Sequence, residues 1–389
     1  MIKWILNYLH DPRYPSLCII LNYFKFFIIW EPSHTPRQRV VYRTILTCYM
    51  ITHIGHFIYL PISGQPFYYF MILLKQGVFQ MAVFKLFNIM RHIADWRRLM
   101  DRMSQLENEQ LRDPHLQPIV TRYIKHGQKC IMAYWAMSIA ITNWIYGRNV
   151  YSTVKRMETY GELDPDDVGY FWLWPTGLYS GRWKVYSYVL WQLFYGICSN
   201  IYVNGWDGLC VAMMILLAGQ VEVLCEMFKR ALDTDDDEEQ EKNLVNCYKR
   251  YVELLKAHNL CNSMMSPVLF VYLLFASINL ALILYSVDSL ETSGVFLAAT
   301  LFGGLMVQLF FYYWHGHQII YQSSVVSASV YASAWVAASA RVRRRVFLMS
   351  ATTDRRLVFH AGPFNEVSLT TFVAIVKTSY SFYKLMSST

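Results

Sequence analysis

Two histidine pairs and one polar stripe are the parts of this sequence whose residue types and spacing could do chemistry. His315 and His317, in the run WHGH, and His53 with His56 offer imidazole nitrogens to a metal. Residues two apart on a helix do not face one another, and no nearby cysteine or carboxylate completes a ligand set around His315 and His317. His53 and His56 are three apart and share a face, which fits packing or hydrogen bonding better than coordination without a third ligand. The chain carries neither a phosphate-binding glycine loop nor a nucleophile elbow. The sequence therefore predicts no enzyme, no metal site and no cofactor.

The stripe is different. On a helix turning about 100° per residue, Thr370, Lys377, Ser381, Lys384 and Ser388 fall on one narrow face with Ala374. Phe372, Val373, Val376, Tyr380, Tyr383 and Met386 occupy the other side. Polar atoms facing lipid are costly, so the stripe should face protein or water. One reading is hydrogen bonding between neighbouring helices. The other is the wall of a pore, which requires the same helix from several subunits around an axis. Two lysines in such a wall would repel cations unless they turn aside or snorkel away.

The elements that must carry these residues follow from composition. Of 389 residues, 55% are hydrophobic and only 16% charged, against about a quarter charged in a soluble domain. Several apolar stretches reach the roughly 20 residues needed to cross a bilayer as a helix. The expected fold is an all-α polytopic membrane protein with seven transmembrane helices near residues 40–60, 67–89, 119–146, 185–210, 267–287, 294–314 and 369–386. Residues 17–30 are apolar but too short to span, which suggests an interfacial helix.

Lysine and arginine set the orientation. The segments expected on one side carry 26 basic residues, against five on the other. The positive-inside rule then predicts a cytoplasmic N-terminus and an extracellular C-terminus. The expected organisation is a cytosolic N-terminal segment with an interfacial helix (1–39), helices one to four (40–225), a cytosolic loop (226–262), helices five and six (263–322), a cytosolic helical anchor region (323–363) and the final helix (364–389). The net charge of +8 needs only membrane lipid and insertion as its explanation, with no nucleic acid. The acidic run DTDDDEEQE from Asp233 reads as a solvated loop. No cysteine falls in a predicted outside loop, so no structural disulfide is expected.

This orientation is opposite to that of a G-protein-coupled receptor, and neither its acidic-Arg-Tyr nor its Asn-Pro signature is present. Instead, Phe364-Asn365-Glu366-Val367-Ser368-Leu369-Thr370-Thr371-Phe372, followed by Lys377-Thr378-Ser379-Tyr380-Ser381, resembles the C-terminal signature of insect odorant receptors. The resemblance continues upstream through Tyr331-x-x-x-Trp335, the basic stretch from Arg341, Tyr188-x-x-x-Gln192, Asp207 and His258. Gustatory receptors share this fold but end in a different pattern. The odorant receptor co-receptor, Orco, is longer between helices four and five, so the resemblance is to a tuning subunit.

What this implies is the odorant-binding subunit of a ligand-gated, nonselective cation channel, a heterotetramer with Orco in the plasma membrane of olfactory sensory neuron dendrites. A gustatory-receptor-like channel or a metabotropic seven-helix receptor is the alternative. The implied anchor helix would start at Trp335 and run to Ser350, with Trp335, Phe347 and Leu348 as subunit contacts. Arg343, Arg344 and Arg345 are consecutive, which favours solvent or lipid headgroups over one ion-pair cluster. The final helix would line the pore, with Lys377, Ser381, Phe382, Tyr383, Lys384, Leu385, Met386 and Ser387 as pore and gate candidates. A small volatile odorant would occupy a pocket in the outer half of helices two to six. Spacing selects as its walls Tyr69, Ile72 and Gln76; Met137, Ala140, Asn143 and Trp144; Tyr188, Trp191 and Tyr195; and Phe275, Asn279 and Leu282. Each stripe also fits ordinary packing. The aromatic outer loop 161–179 would fold over the pocket mouth or sit in the interfacial belt.

Overall fold

The protein, as a computed structural model, is described over residues 11–27, 29, 35–62, 77–160, 182–286 and 292–387. Among these residues the chain is helical apart from one small hairpin. In chain order the elements are α1 (Cys18–Phe26), α2 (Pro36–Ile62), α3 (Gly77–Arg91), α4 (Ile93–Gln110), α5 (Gln117–Tyr160), α6 (Arg182–Arg230) and α7 (Asp237–Ser286). They continue with α8 (Thr292–Ser324), α9 (Val326–Tyr331), α10 (Ala340–Thr353), β1 (His360–Ala361), β2 (Asn365–Glu366) and α11 (Leu369–Ser387).

Among the described residues the apolar stretches lie on helices, and several helices are far longer than a bilayer is thick. α5, α6 and α7 run for 44, 49 and 50 residues, or about 65–75 Å at 1.5 Å per residue. Among the described residues, Trp183–Arg230 and Asp237–Leu284 combine the length and the uninterrupted apolar window of a membrane-crossing helix. Polar residues such as Arg43, His53, Lys85 and Asn88 interrupt the corresponding runs of α2 and α3.

α6 is the central element and packs against α1, α3, α5, α7, α8 and α9. Trp206, Leu209, Cys210, Met213, Met214, Leu216 and Leu217 are all buried, so it is apolar all round where it is surrounded. The close packing around it is reinforced by dispersion contacts and by the hydrogen bonds described below.

The stretch 226–262, expected as a loop, is helical except at residues 231–236. The reason is a buried stripe at alternating three- and four-residue spacing, namely Leu244, Cys247, Tyr251, Leu254, His258 and Cys261, beginning just after the acidic run. Asp237, Glu238 and Glu239 occupy the first turn of α7, where carboxylates favour the positive end of the helix dipole. The helix expected from Trp335 begins instead at Ala340, where the Ser339 hydroxyl accepts the Val342 N–H at 3.4 Å.

Candidate functional site

The polar centre of the bundle is Asp207 on α6, 1% exposed. Lys85 of α3 donates to its Oδ1 at 2.5 Å, and Tyr312 of α8 donates to the same oxygen. Tyr134 of α5 and Gln308 of α8 donate to Oδ2 at 2.6 and 2.5 Å. The Lys85 ammonium also lies 5.4 Å from the Trp206 ring centroid and 4.9 Å from that of Tyr272 on α7, within cation–π range. Trp206 in turn donates to Asn88 Oδ1 at 3.1 Å, and Asn88 donates to the Met264 carbonyl at 2.8 Å. Five helices therefore meet at one ion pair whose two carboxylate oxygens are each doubly satisfied. Such a pair resists single changes, since removing one partner strands a buried charge.

A ladder of amides continues from this hub along α6. Asn204 donates to Asn200 at 2.6 Å, and Asn200 donates to Thr142 of α5 at 2.6 Å. Trp135 donates to the Asn204 carbonyl at 3.1 Å. Asn200, Asn204 and Asp207 are spaced four and three apart in an apolar helix, a signal that the sequence reading passed over.

The sequence-selected pocket residues disperse among these contacts. Trp144 meets Phe296 of α8 at 5.0 Å between ring centroids, and Trp191 lies 5.5 Å from Phe194 on its own helix. Tyr195 stacks on Tyr49 of α2 at 5.2 Å, with its hydroxyl 3.1 Å from His53 Nδ1. His53 thus has the hydrogen-bonding role its spacing suggested. Asn279 is buried and donates to the Phe275 carbonyl one turn earlier at 2.8 Å. Met137, Phe275 and Leu282 are half-buried, while Ala140 and Asn143 are exposed. Tyr69, Ile72, Gln76, the loop 161–179 and the side chain of Tyr188 lie outside the described residues.

At the tail, the hairpin holds the start of α11 against α7 and α8. The Gly362 N–H lies 3.2 Å from the Ser266 carbonyl and 3.0 Å from its hydroxyl. His360 N–H donates to Asn262 at 2.8 Å, and Leu357 N–H to Ser323 at 2.9 Å. Gly362 has φ +70°, a left-handed conformation that favours glycine. In the WHGH run, Gly316 lets the chain pass at close range, because a Cβ there would sit 2.5 Å from the Val367 carbonyl oxygen. His315 is buried beside it, with Nδ1 3.0 Å from Gln318 Oε1.

Beyond Ser368, whose hydroxyl accepts the Thr371 N–H at 3.3 Å, α11 packs one face on the bundle. Phe372 lies 5.8 Å from Phe310 and 6.3 Å from Tyr313 of α8, and Ser379 is buried. Thr370, Lys377, Ser381 and Lys384 are exposed. The apolar side divides: Tyr383 is half-buried, whereas Val373 and Tyr380 are exposed, as is Leu385. The side chains of Phe382, Met386 and Ser387, and the whole of Ser388, lie outside the described residues.

Comparison with known proteins accounts for this architecture. The sequence model of the family described as 7tm Odorant receptor matches residues 76–380. The chain belongs to the 7tm odorant receptor family. The receptor is 21% identical over 316 residues to the putative odorant receptor 92a of Drosophila melanogaster, covering 79% of this chain and 76% of that one. It is 19% identical over 352 residues to odorant receptor 10 of Aedes albopictus, covering 88% and 89%. The solved structure of the insect olfactory receptor OR5 from Machilis hrabei in complex with eugenol matches its fold with a TM-score of 0.77. The identity is 12%, and the match covers 97% of this receptor and 100% of that chain.

An N-terminal clasp holds α1 against α4, α5 and α6. Tyr14 donates to Asp101 of α4 at 2.6 Å, Gln128 of α5 donates to the Pro15 carbonyl at 3.1 Å, and Tyr23 donates to the Ile201 carbonyl at 3.0 Å. Ser16 donates from both its N–H and its hydroxyl to Glu107, itself fully buried. Burial pushes the Glu107 carboxyl up to about 7, with hydrogen bonds from Ser16 and Tyr123 pulling the other way. In α7, burial lowers the His258 imidazole to about 4, so it is neutral beside the Phe359 ring. The arginine run is divided: Arg341 and Arg345, one turn apart on α10, both pair with Glu241 of α7, while Arg343 and Arg344 are exposed. Phe347 and Leu348 are exposed, and Trp335 is half-buried with its indole N–H on the Tyr331 carbonyl at 3.1 Å.

Proposed function

We propose that this receptor is the odorant-binding subunit of a heteromeric, odorant-gated, nonselective cation channel formed with the co-receptor Orco. The observation that carries this reading is the exposure of Thr370, Lys377, Ser381 and Lys384 along one face of α11 while another face packs on α7 and α8. A hydroxyl and ammonium stripe is costly against lipid, so in the membrane it borders water and neighbouring subunits around a pore axis. The charge asymmetry of the loops supports a cytoplasmic N-terminus, seven crossings of the plasma membrane and an extracellular C-terminus.

Family membership supports a small volatile ligand, as does likeness to a structure solved with eugenol. A phenol or similar molecule would draw most of its affinity from aromatic and aliphatic walls, at about 25 cal/mol per Å² of apolar area buried. The wall candidates with described side chains are Met137, Ala140, Asn143, Trp144, Trp191, Tyr195, Phe275, Asn279 and Leu282, and Tyr69, Ile72, Gln76 and Tyr188 complete the set. Opening requires that the ligand bind the open arrangement better than the closed one. The half-buried Trp335 and exposed Phe347 and Leu348 serve as contacts between subunits.

The test is whole-cell current from cells expressing this chain with Orco, and each alone, during an odorant panel that includes phenols, with G-protein signalling blocked. A rapid cation current requiring both chains, with a ligand profile altered by Trp144→Ala or Trp191→Ala, is the expected result. Odorant current from this chain alone would overturn the obligate heteromer, and responses that vanish with G-protein blockade would favour the metabotropic alternative.

A further inference from the structure

A cavity lies apart from the sequence-selected pocket residues. It is a cleft of about 570 Å³ between α5, α6 and α8, within the size range of small-molecule sites. Arg122 and His126 of α5 form one side, Ile215 and Ala218 of α6 the floor, and Trp314 and His317 of α8 the other side. None of the sequence-selected pocket residues lines it. We propose that this cleft binds an anionic glycerophospholipid of the cytoplasmic leaflet.

Three observations converge on that class of ligand. The first is charge: Arg122 and His126, one turn apart on α5, line the cleft, and Lys125 and Lys129, also one turn apart and exposed, lie beside them on the same helix. Basic pockets between transmembrane helices on the cytoplasmic side are suited to lipid headgroups. The opposing carboxylate, Glu222, accepts from Arg122 Nη2 only, which leaves the other guanidinium donors for a phosphate. The second is the wall, where Trp314 is 41% and Tyr321 63% exposed. Aromatic rings of this kind settle at headgroup level, with Ile215 and Ala218 beneath for an acyl chain. The third is an unpaired polar atom: the buried Nδ1 of His317 has no hydrogen-bond partner among the described residues.

The cleft also reaches the root of the final helix. Leu369, the first residue of α11, lines it, and His317 follows the glycine that accommodates Val367. A lipid held there touches the root of the final helix and biases its position, which makes leaflet composition a regulator of the channel. The inference rests on the orientation given under Proposed function, since it needs the start of α5 at the cytoplasmic surface.

The experiment uses the full chain assembled with Orco in phosphatidylcholine nanodiscs containing phosphatidylserine with a photoactivatable diazirine, and maps adducts by mass spectrometry. Adducts should concentrate in residues 119–129 and 314–322 and be competed by unmodified phosphatidylserine. Lys125→Gln with Lys129→Gln, both at exposed positions, should weaken that competition about thirtyfold. Equal labelling by a diazirine phosphatidylcholine, adducts spread evenly over the lipid-facing helices, or no effect of the double variant would overturn the site. A Lys125→Cys variant separates the two claims. Labelling by an impermeant maleimide from the outside overturns the orientation and the proposal with it, while labelling only from the inside, without adducts, overturns the lipid site alone.

Discussion

Asp207→Asn is the substitution whose cost the structure constrains most closely. At 2.5 Å from Lys85, the ion pair carries an attraction of about 7 kcal/mol at an effective dielectric of about 20, most of it offset by desolvation. The amide keeps one oxygen for two of the four donors. Its NH2 group then confronts either Tyr134 and Gln308 or Lys85 and Tyr312, and all of these now donate to the carboxylate. Stranding a fully buried ammonium costs about 3–5 kcal/mol. The expected result is a loss of roughly 5–10 °C in melting temperature, read by fluorescence-detected gel filtration of the detergent-solubilised chain after brief heating. Lys85→Met in the same background removes the stranded charge and should recover much of the loss, so the two changes will not add. If Asp207→Asn melts within about 2 °C of the native receptor, or if the double variant is the sum of the single ones, the five-helix hub is not what holds α3 to α6.

Gly316→Ala forces a Cβ against the Val367 carbonyl oxygen. Overpacking of that kind costs about 1–3 kcal/mol, and the expected readout is reduced current with normal surface expression as the root of α11 shifts. Glu107 has a folded-state value near 7, above its ordinary 4.5, so the folded receptor holds a proton that the unfolded chain releases. Its penalty is absent below about 4.5 and grows as pH rises towards 7, to about 3 kcal/mol. Glu107→Gln should flatten the melting temperature between pH 5 and 8 relative to the native chain. Glu241→Ala breaks both α10 ion pairs, yet Arg341 is largely exposed, so stability should change by less than about 1 kcal/mol. Any larger effect on assembly with Orco, measured by co-purification, would identify the pair as a positioning element of α10.

The bundle was legible because the apolar runs are long and bounded by charge, and the tail's polar stripe was legible because 3.6-residue periodicity survives in 19 residues. The start of α7 was not, because its acidic first turn reads as loop and masks the Leu244–Cys247–Tyr251–Leu254 stripe behind it. The Asp207 hub assembles donors from α3, α5 and α8, with sequence separations of 73 to 122, which no local pattern encodes. Only Asn200, Asn204 and Asp207 left a trace, as amide and acid on one face of an apolar helix. Tyr195 illustrates a different limit. Its spacing puts it on one face of α6 with Trp191, but the partners it meets there are Tyr49 and His53 of α2.

The glycine-mediated contact at Val367 and the hairpin on Ser266 give α11 the mechanics of a lever pinned at its root. At 1.5 Å per residue its 19 residues extend about 28 Å from that pivot. A tilt of about 5° at the root therefore carries the far tip sideways by about 2.5 Å. Small adjustments of α7 and α8 against the hairpin are thus magnified at the end of the helix where Lys384 and Leu385 lie. Residues near the fulcrum should accordingly set how far the tip travels, and residues near the tip how much that travel matters.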